Sequence, residues 1–328
     1  MITARDGIKL ACHQYLPIQN SLPEKSSGVN TPARVMFLHG GSFNSRRYAN
    51  IAKACVKQGF EVVLCDLRGH GDSQGPRGTC NYVGQLEDDI ADTIEWFENH
   101  QPLPLILGGH SSGSVVCLRY IEKHGQDSLA GCYFIAPAIS NTLEPLRFDE
   151  PGSKRSFLMN YWRKKPTFNP APESALKHIP KMNNVKFLAA LVLPFLRHKT
   201  VMSFPGSAKM AELEGRVLDY SFNMMASVSI PKYSKAFRLI TVPTLLVCGE
   251  NDEILHPSFL PTVAQWHLAP TTDKQVNMLP RLNHMSVLGG ATRVLPQWLA
   301  QRWDPVEIEI VKAEVEVEVV NAEMEQVA

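Results

Sequence analysis

The sequence contains no C-x-x-C pair, no H-E-x-x-H, no G-x-x-x-x-G-K-[ST] and no G-x-G-x-x-G following a strand pattern. These absences exclude the common zinc, redox and nucleotide-binding frameworks. It has no uninterrupted run of 18 apolar residues, so no segment reads as a membrane span. The start MITARDGIKLACHQY lacks a long apolar core and a small-residue cleavage site. That predicts no signal peptide and a cytoplasmic location. Charge of one sign is also scarce. The formal net charge over 328 residues is +1, which argues against a dedicated nucleic-acid binder. Seven cysteines are present, an odd number, and Cys65, Cys117 and Cys248 lie within apolar runs. They read as buried, reduced thiols. No cofactor and no metal is expected, and nothing in the sequence sets an oligomeric state.

What is present is a rhythm. Short apolar runs (IKLACHQY, RVMFL, EVVLC, LPLILGG, CYFIA, VPTLLVC, KQVNMLP) alternate with amphipathic helical patterns over 48–58, 85–98, 113–123 and 290–302. Such alternation predicts an α/β fold, with a mainly parallel central sheet and helices on both faces. Between 139 and 238 the rhythm breaks, prolines recur and the remaining patterns look helical. The expected organisation is a core over 1–138 and 239–303, an inserted helical cap over 139–238, and an acidic, flexible tail over 304–328. The tail carries eight acidic residues and one base. The cap carries a run over 187–196, FLAALVLPFL, too short to span a bilayer. It reads either as a helix packed within the cap or as a lid that meets lipid.

Chemistry concentrates in three loops. Gly109-His110-Ser111-Ser112-Gly113 matches G-x-S-x-G, follows a buried strand and opens a helix. Alone, the pattern arises by chance in about one chain in ten of this length. The strand–turn–helix context is what a nucleophile elbow requires. A serine hydroxyl needs a base within hydrogen-bond reach, and the base needs an orienting acid. The two late strand ends supply both: Gly249-Glu250-Asn251-Asp252-Glu253, then Pro280-Arg281-Leu282-Asn283-His284. Ser111 is the expected nucleophile, His284 the base and Asp252 the acid, with Glu250 as fallback. His256 and His267 read as surface histidines. An oxyanion needs N–H donors. Ser112, at the helix N-terminus, is one. Gly41 in His39-Gly40-Gly41-Ser42 is the other, with Ser42 as the alternative. The pair Asp88-Asp89 reads as a solvated first helical turn.

The run Asp66-Leu67-Arg68-Gly69-His70-Gly71-Asp72-Ser73, followed by Gln74-Gly75-Pro76-Arg77-Gly78, completes a resemblance. Over about 5–138 and 240–302 the chain resembles the monoacylglycerol lipase and lysophospholipase branch of the α/β-hydrolases, which includes serine aminopeptidase-like members. The resemblance implies the α/β-hydrolase fold and a serine ester hydrolase acting through an acyl-enzyme. It also implies an oxyanion N–H from Gly41, and loop-structuring roles for Arg68, His70 and Ser73. The sequence departs from the branch in reading HGGSFN where HGxxEH is usual. Ser111 excludes the aspartate-nucleophile dehalogenases and epoxide hydrolases that share the fold. The expected substrate is a small-molecule or lipid ester: monoacylglycerol, lysophospholipid or a similar lipid. Short-chain carboxylesterase and thioesterase or acyltransferase activity are the alternatives. A peptidase would need an acidic site for the substrate amine. Residues 139–232 instead carry 14 Lys/Arg against 7 Asp/Glu. That basic cap offers a peripheral contact with an anionic membrane surface.

Overall fold

Strands covered on both faces read as short runs that are apolar at consecutive positions. Arg34–Leu38 (β4), Glu61–Cys65 (β5), Leu105–His110 (β6), Gly131–Ile135 (β7) and Thr244–Gly249 (β11) are buried at every residue. The computed structural model describes residues 1–17, 31–139, 180–255 and 257–303. Within them these strands, with Lys274–Leu279 (β12) and Cys12–Tyr15 (β3), form a seven-stranded sheet in the order β12-β11-β7-β6-β4-β5-β3. All pairings are parallel except β3 on β5. The expected parallel sheet is therefore present. The run IKLACHQY splits at Ala11: Lys9–Leu10 (β2) pairs with Ile2–Thr3 (β1), and β3 joins the main sheet. Polar strand ends are matched across the register. Arg34 lies opposite Glu61, and its Nε donates to Oε1 at 2.5 Å.

Four helices flank the sheet close to their expected places: Ala49–Val56 (α1), Gln85–His100 (α2), Ser112–His124 (α3) and Val287–Ala300 (α9). All seven cysteines are unpaired, and all but Cys12 are buried. One expectation about α2 is corrected. Asp88 and Asp89 are buried, not solvated. Asp89 takes a two-point contact from Arg68, while Asp88 meets Lys123, His124 and Tyr82. Cations from a loop and from α3, distant in sequence, make that burial affordable.

The proposed cap is described from residue 180 onward; 140–179 of it, and the whole tail 304–328, lie outside the described residues. The described part is not all helical. Lys181–Met182 (β8), Thr200–Ser203 (β9) and Asp219–Ser221 (β10) form an antiparallel sheet, β10-β9-β8. Strands of two to four residues are too short to show a period of two. Between them lie Asn184–Val192 (α4) and Ala208–Glu214 (α5). Phe222–Ser227 (α6) and Tyr233–Leu239 (α7) follow. The last of these packs on the core, with Phe237 edge-on to Phe134 of β7 at 5.6 Å.

Candidate active site

Ser111 ends β6 and precedes α3 with φ 53° and ψ −121°, a left-handed φ that a serine adopts only under constraint. The constraint is visible. Its N–H donates to Ile135 O at 2.9 Å, and its C=O accepts from the N–H groups of Ser114 and Ala138. Gly109 and Gly113 flank the turn because no Cβ fits there: one built on either would collide with the carbonyl of Leu38 in β4. The turn pushes the Ser111 side chain out past the carboxyl ends of the strands, the region where open α/β sheets bind ligands.

The other two predicted residues arrive from neighbouring strand ends. Asp252 follows β11 and His284 follows β12. His284 Nε2 stands 3.0 Å from Ser111 Oγ, and His284 Nδ1 stands 2.8 Å from Asp252 Oδ2. The second Asp252 oxygen accepts from the N–H groups of Ile254 and Leu255 at 2.9 and 2.8 Å. Asp252 and His284 are both buried, whereas the fallback acid Glu250 is exposed. Glu253, on the same loop, accepts from the His284 backbone N–H at 3.0 Å. His267 is buried against Tyr233 rather than at the surface, at a ring separation of 5.6 Å. Its helix, Leu260–His267 (α8), turns it inward. His256 lies outside the described residues.

The loop after β4 is held by two parallel hydrogen-bond chains. Gly40 N–H donates to the Tyr48 hydroxyl oxygen Oη at 2.8 Å, and the same hydroxyl meets His110 Nδ1 at 3.0 Å. His110 Nε2 meets the His284 carbonyl at 3.1 Å. One residue past Gly41, Ser42 N–H donates to the Tyr220 hydroxyl oxygen Oη at 2.9 Å, and the same hydroxyl meets His70 Nε2 at 2.7 Å. His70 Nδ1 meets the Arg68 carbonyl at 3.0 Å. The carbonyl ends fix the tautomers: Nε2–H on His110 and Nδ1–H on His70. Each other ring nitrogen then accepts from a tyrosine O–H. Burial pushes both imidazoles down, His110 well below its ordinary value and His70 to about 3, so both stay neutral.

Both peptide N–H groups flanking Gly41 are thus already engaged. Ser42, the alternative oxyanion donor, is committed to Tyr220. No acceptor is paired with the N–H of Gly41 or Ser112 among the described residues, and both residues line the cavity that holds Ser111. The roles expected of Arg68 and Ser73 in shaping the loop also find partners. Arg68 bridges Asp6 and Asp89, and Ser73 Oγ donates to Asp66 O at 2.6 Å while accepting from Ala11 N–H. Tyr48 and Tyr220 carried no signal in the sequence; each is 62 and 150 residues from its histidine.

The cavity has a volume of about 690 Å³, and Ser111 and His284 lie in its wall. Met182, Met202, Phe204, Met225, Val228 and Ile230, all from the inserted region, give it an apolar side.

This elbow on a parallel sheet, with acid and histidine after successive late strands, is the arrangement of the α/β-hydrolase fold, the common fold of a large superfamily. Within that superfamily it resembles the monoacylglycerol lipase and lysophospholipase branch. Residues 30–182 match the family model described as serine aminopeptidase, S33. Human monoglyceride lipase is 22% identical over 90% of this chain and 88% of that protein. An uncharacterised abhydrolase domain-containing protein of Dictyostelium discoideum is 33% identical over 35% of this chain, a match spanning only 12% of that much longer protein. Among solved structures, a soluble variant of the Saccharomyces cerevisiae monoglyceride lipase superposes with a TM-score of 0.63 at 16% identity, covering 92% of this chain and 95% of that one. A thermophilic esterase from Thermogutta terrifontis superposes at 0.57 and 19% identity, covering 92% and 98%. At these identities the structural likeness is one of fold.

Proposed function

We propose that the protein is a serine-dependent carboxylic ester hydrolase acting on lipid esters, monoacylglycerol or lysophospholipid, through an acyl-enzyme. The observation that carries this reading is the unbroken hydrogen-bond chain from Ser111 through His284 to Asp252 in the wall of a mainly apolar cavity. Ser111 Oγ attacks the ester carbonyl carbon while His284 Nε2 takes its proton. Asp252 holds His284 with Nδ1 protonated and stabilises the imidazolium. The N–H groups of Gly41 and Ser112 receive the oxyanion, helped by the N-terminal dipole of α3. The acyl–oxygen bond breaks, and the alcohol leaves with the proton from His284. Water, deprotonated by the same imidazole, then adds its oxygen to the acyl carbon and restores the Ser111 hydroxyl. The methionine-rich side of the cavity suits flexible acyl chains, because thioether side chains repack around varied shapes.

The test is labelling of the purified protein with a fluorophosphonate probe, beside Ser111→Ala, with esters of graded chain length. Labelling of wild type and not of the variant, with turnover rising with chain length, is the expected result. Absence of wild-type labelling would remove the hydrolase reading. Turnover confined to the shortest chains would point to the small-ester alternative, and preferential transfer to alcohols or thioester cleavage to the acyltransferase or thioesterase alternative.

A second part of the proposal concerns the membrane. Val185, Val192 and Phe195, on and just after α4, are 79%, 74% and 73% exposed, and Leu188 and Leu191 are also exposed. The exposed Lys181, Lys186 and Lys199 lie within the same stretch of chain. Of the two readings of the apolar run, this supports the one that meets lipid. Apolar side chains rimmed by lysines fit the headgroup region of an anionic bilayer. No helix among the described residues is long and apolar enough to cross a membrane.

A further inference from the structure

Two arginines line the cavity of Ser111, and both sit on one ring. The guanidinium carbon of Arg47 lies 4.3 Å from the centroid of Phe43, and that of Arg216 lies 4.9 Å from it. The two cations are therefore separated by no more than those distances together. Arg47 and Phe43 belong to the chain just after the oxyanion loop. Arg216 comes from the inserted region, which is hydrogen-bonded to that loop. Val217 N–H donates to Ser42 O at 2.8 Å, Arg216 Nε to Ser42 Oγ at 3.1 Å, and Asn44 Nδ2 to Glu214 O at 2.9 Å. Both guanidiniums are thus referenced to the same backbone that carries Gly41.

Their charges are poorly compensated. The neighbouring Arg46 pairs with Asp72 at 2.8 Å, but Arg47 has no acidic partner among the described residues. The HGxxEH pattern of the resembled branch would place a carboxylate at position 43; here it is Phe43. Arg216 meets Glu214 only at 3.8 Å, and that carboxylate is itself half-exposed. Glu253, the other acid in the cavity wall, is held by the His284 N–H. An aromatic face orients a cation without neutralising it. Two such cations on one ring in a cavity wall repel each other and attract an anion, and guanidinium forks match phosphate and carboxylate oxygens. The methionines of the wall are suited to the acyl chain, and the two arginines to a charged alcohol part.

We propose that Arg47 and Arg216, held on Phe43, form a subsite for an anionic oxygen group, phosphate or carboxylate, on the alcohol part of the ester. This rests on the ester hydrolase reading and narrows its substrate to acyl esters of negatively charged alcohols. The reaction is unchanged: the acyl–oxygen bond breaks, water supplies the acid's oxygen, and the charged alcohol leaves protonated at its hydroxyl.

The test uses the full chain and three water-soluble hexanoyl esters of the same acyl group: of glycerol, of glycerol 3-phosphate and of glyceric acid. At low salt kcat/KM should favour at least one charged ester over the neutral one by about tenfold, and added salt should erode that preference. Arg47→Gln and Arg216→Gln should each lower the charged-to-neutral ratio by about fivefold or more. Arg47→Gln is the cleaner arm, because Arg216 also helps to hold the loop. The phosphate and glycerate arms decide which anion is preferred. A wild-type ratio of one or less, or a ratio untouched by both substitutions, overturns the subsite. If no ester turns over and Ser111 does not label with fluorophosphonate, the hydrolase reading has failed and the subsite falls with it.

Discussion

At the scale of single residues, the site is built from groups held neutral or oriented by partners far away in sequence. Asp252→Asn should leave the shape intact while offering His284 Nδ1 an amide in place of a carboxylate. An expected fall in kcat of about 10⁴ follows from loss of the required tautomer. The loss should appear in kcat with KM little changed; a fall of less than tenfold would dismiss Asp252 as the orienting acid. Tyr220 acts at one remove, as a positioning residue. Tyr220→Phe strands Ser42 N–H and His70 Nε2, both buried. The peptide beside Gly41 then loses its anchor, and kcat should drop by about tenfold with KM nearly constant. A matching drop in fluorophosphonate labelling rate would place the effect on the oxyanion loop. A change in thermal stability alone would leave Tyr220 a packing residue.

At the scale of elements, β6 and α3 make the turn that carries Ser111, while the inserted region supplies one wall of the cavity beside it. The α4 helix is capped by Asn183, whose side chain accepts from Lys186 N–H at 3.0 Å, so it is well formed despite its exposed apolar surface. Among its residues only Ala190 is buried. Leu188→Asp should therefore fold normally and retain turnover of a soluble ester. It should bind vesicles containing anionic lipid several-fold more weakly in a flotation assay. Equal flotation of both proteins would show that α4 does not touch the bilayer. The contrast with α2 is instructive. Its acidic first turn is buried because Arg68 and Lys123 converge on it, whereas Val185, Leu188 and Val192 of α4 are left exposed by the described residues.

At the scale of the whole molecule, buried neutral histidines link stability to pH. His39, His70 and His110 all have values pushed down, chiefly by burial, His70 to about 3. In the unfolded chain each regains the ordinary histidine value near 6.5. Between those values the unfolded state binds protons that the native state does not. Stability is therefore fully present above about pH 6.5 and is lost as pH falls toward the native values. Each proton taken up on unfolding contributes a slope of about 1.4 kcal/mol per pH unit. Denaturant titrations from pH 7 to pH 4 should show this loss, and His70→Gln should flatten it. A curve of equal slope in the variant would assign the linkage elsewhere.

Much of this was legible before any coordinates. The apolar runs in RVMFL and EVVLC, and the glycines around Ser111, are local properties, so the sheet strands and the elbow were readable from pattern. Asp252 and His284 were readable because each follows an apolar strand run directly. The three-stranded cap sheet was not, since strands of two to four residues leave no period. Nor were the buried state of Asp88 and Asp89 or the inward turn of His267, since burial depends on what packs opposite. The sequence by itself determined the strand–helix alternation, the turn that carries Ser111 and the chain order of Ser111, Asp252 and His284, because these rest on short-range patterning. Only the tertiary structure decided that Tyr48 and Tyr220 clamp the peptides on either side of Gly41, and that Arg47 and Arg216 share one aromatic ring. Those contacts join segments up to 178 residues apart, and only packing sets distances between such segments.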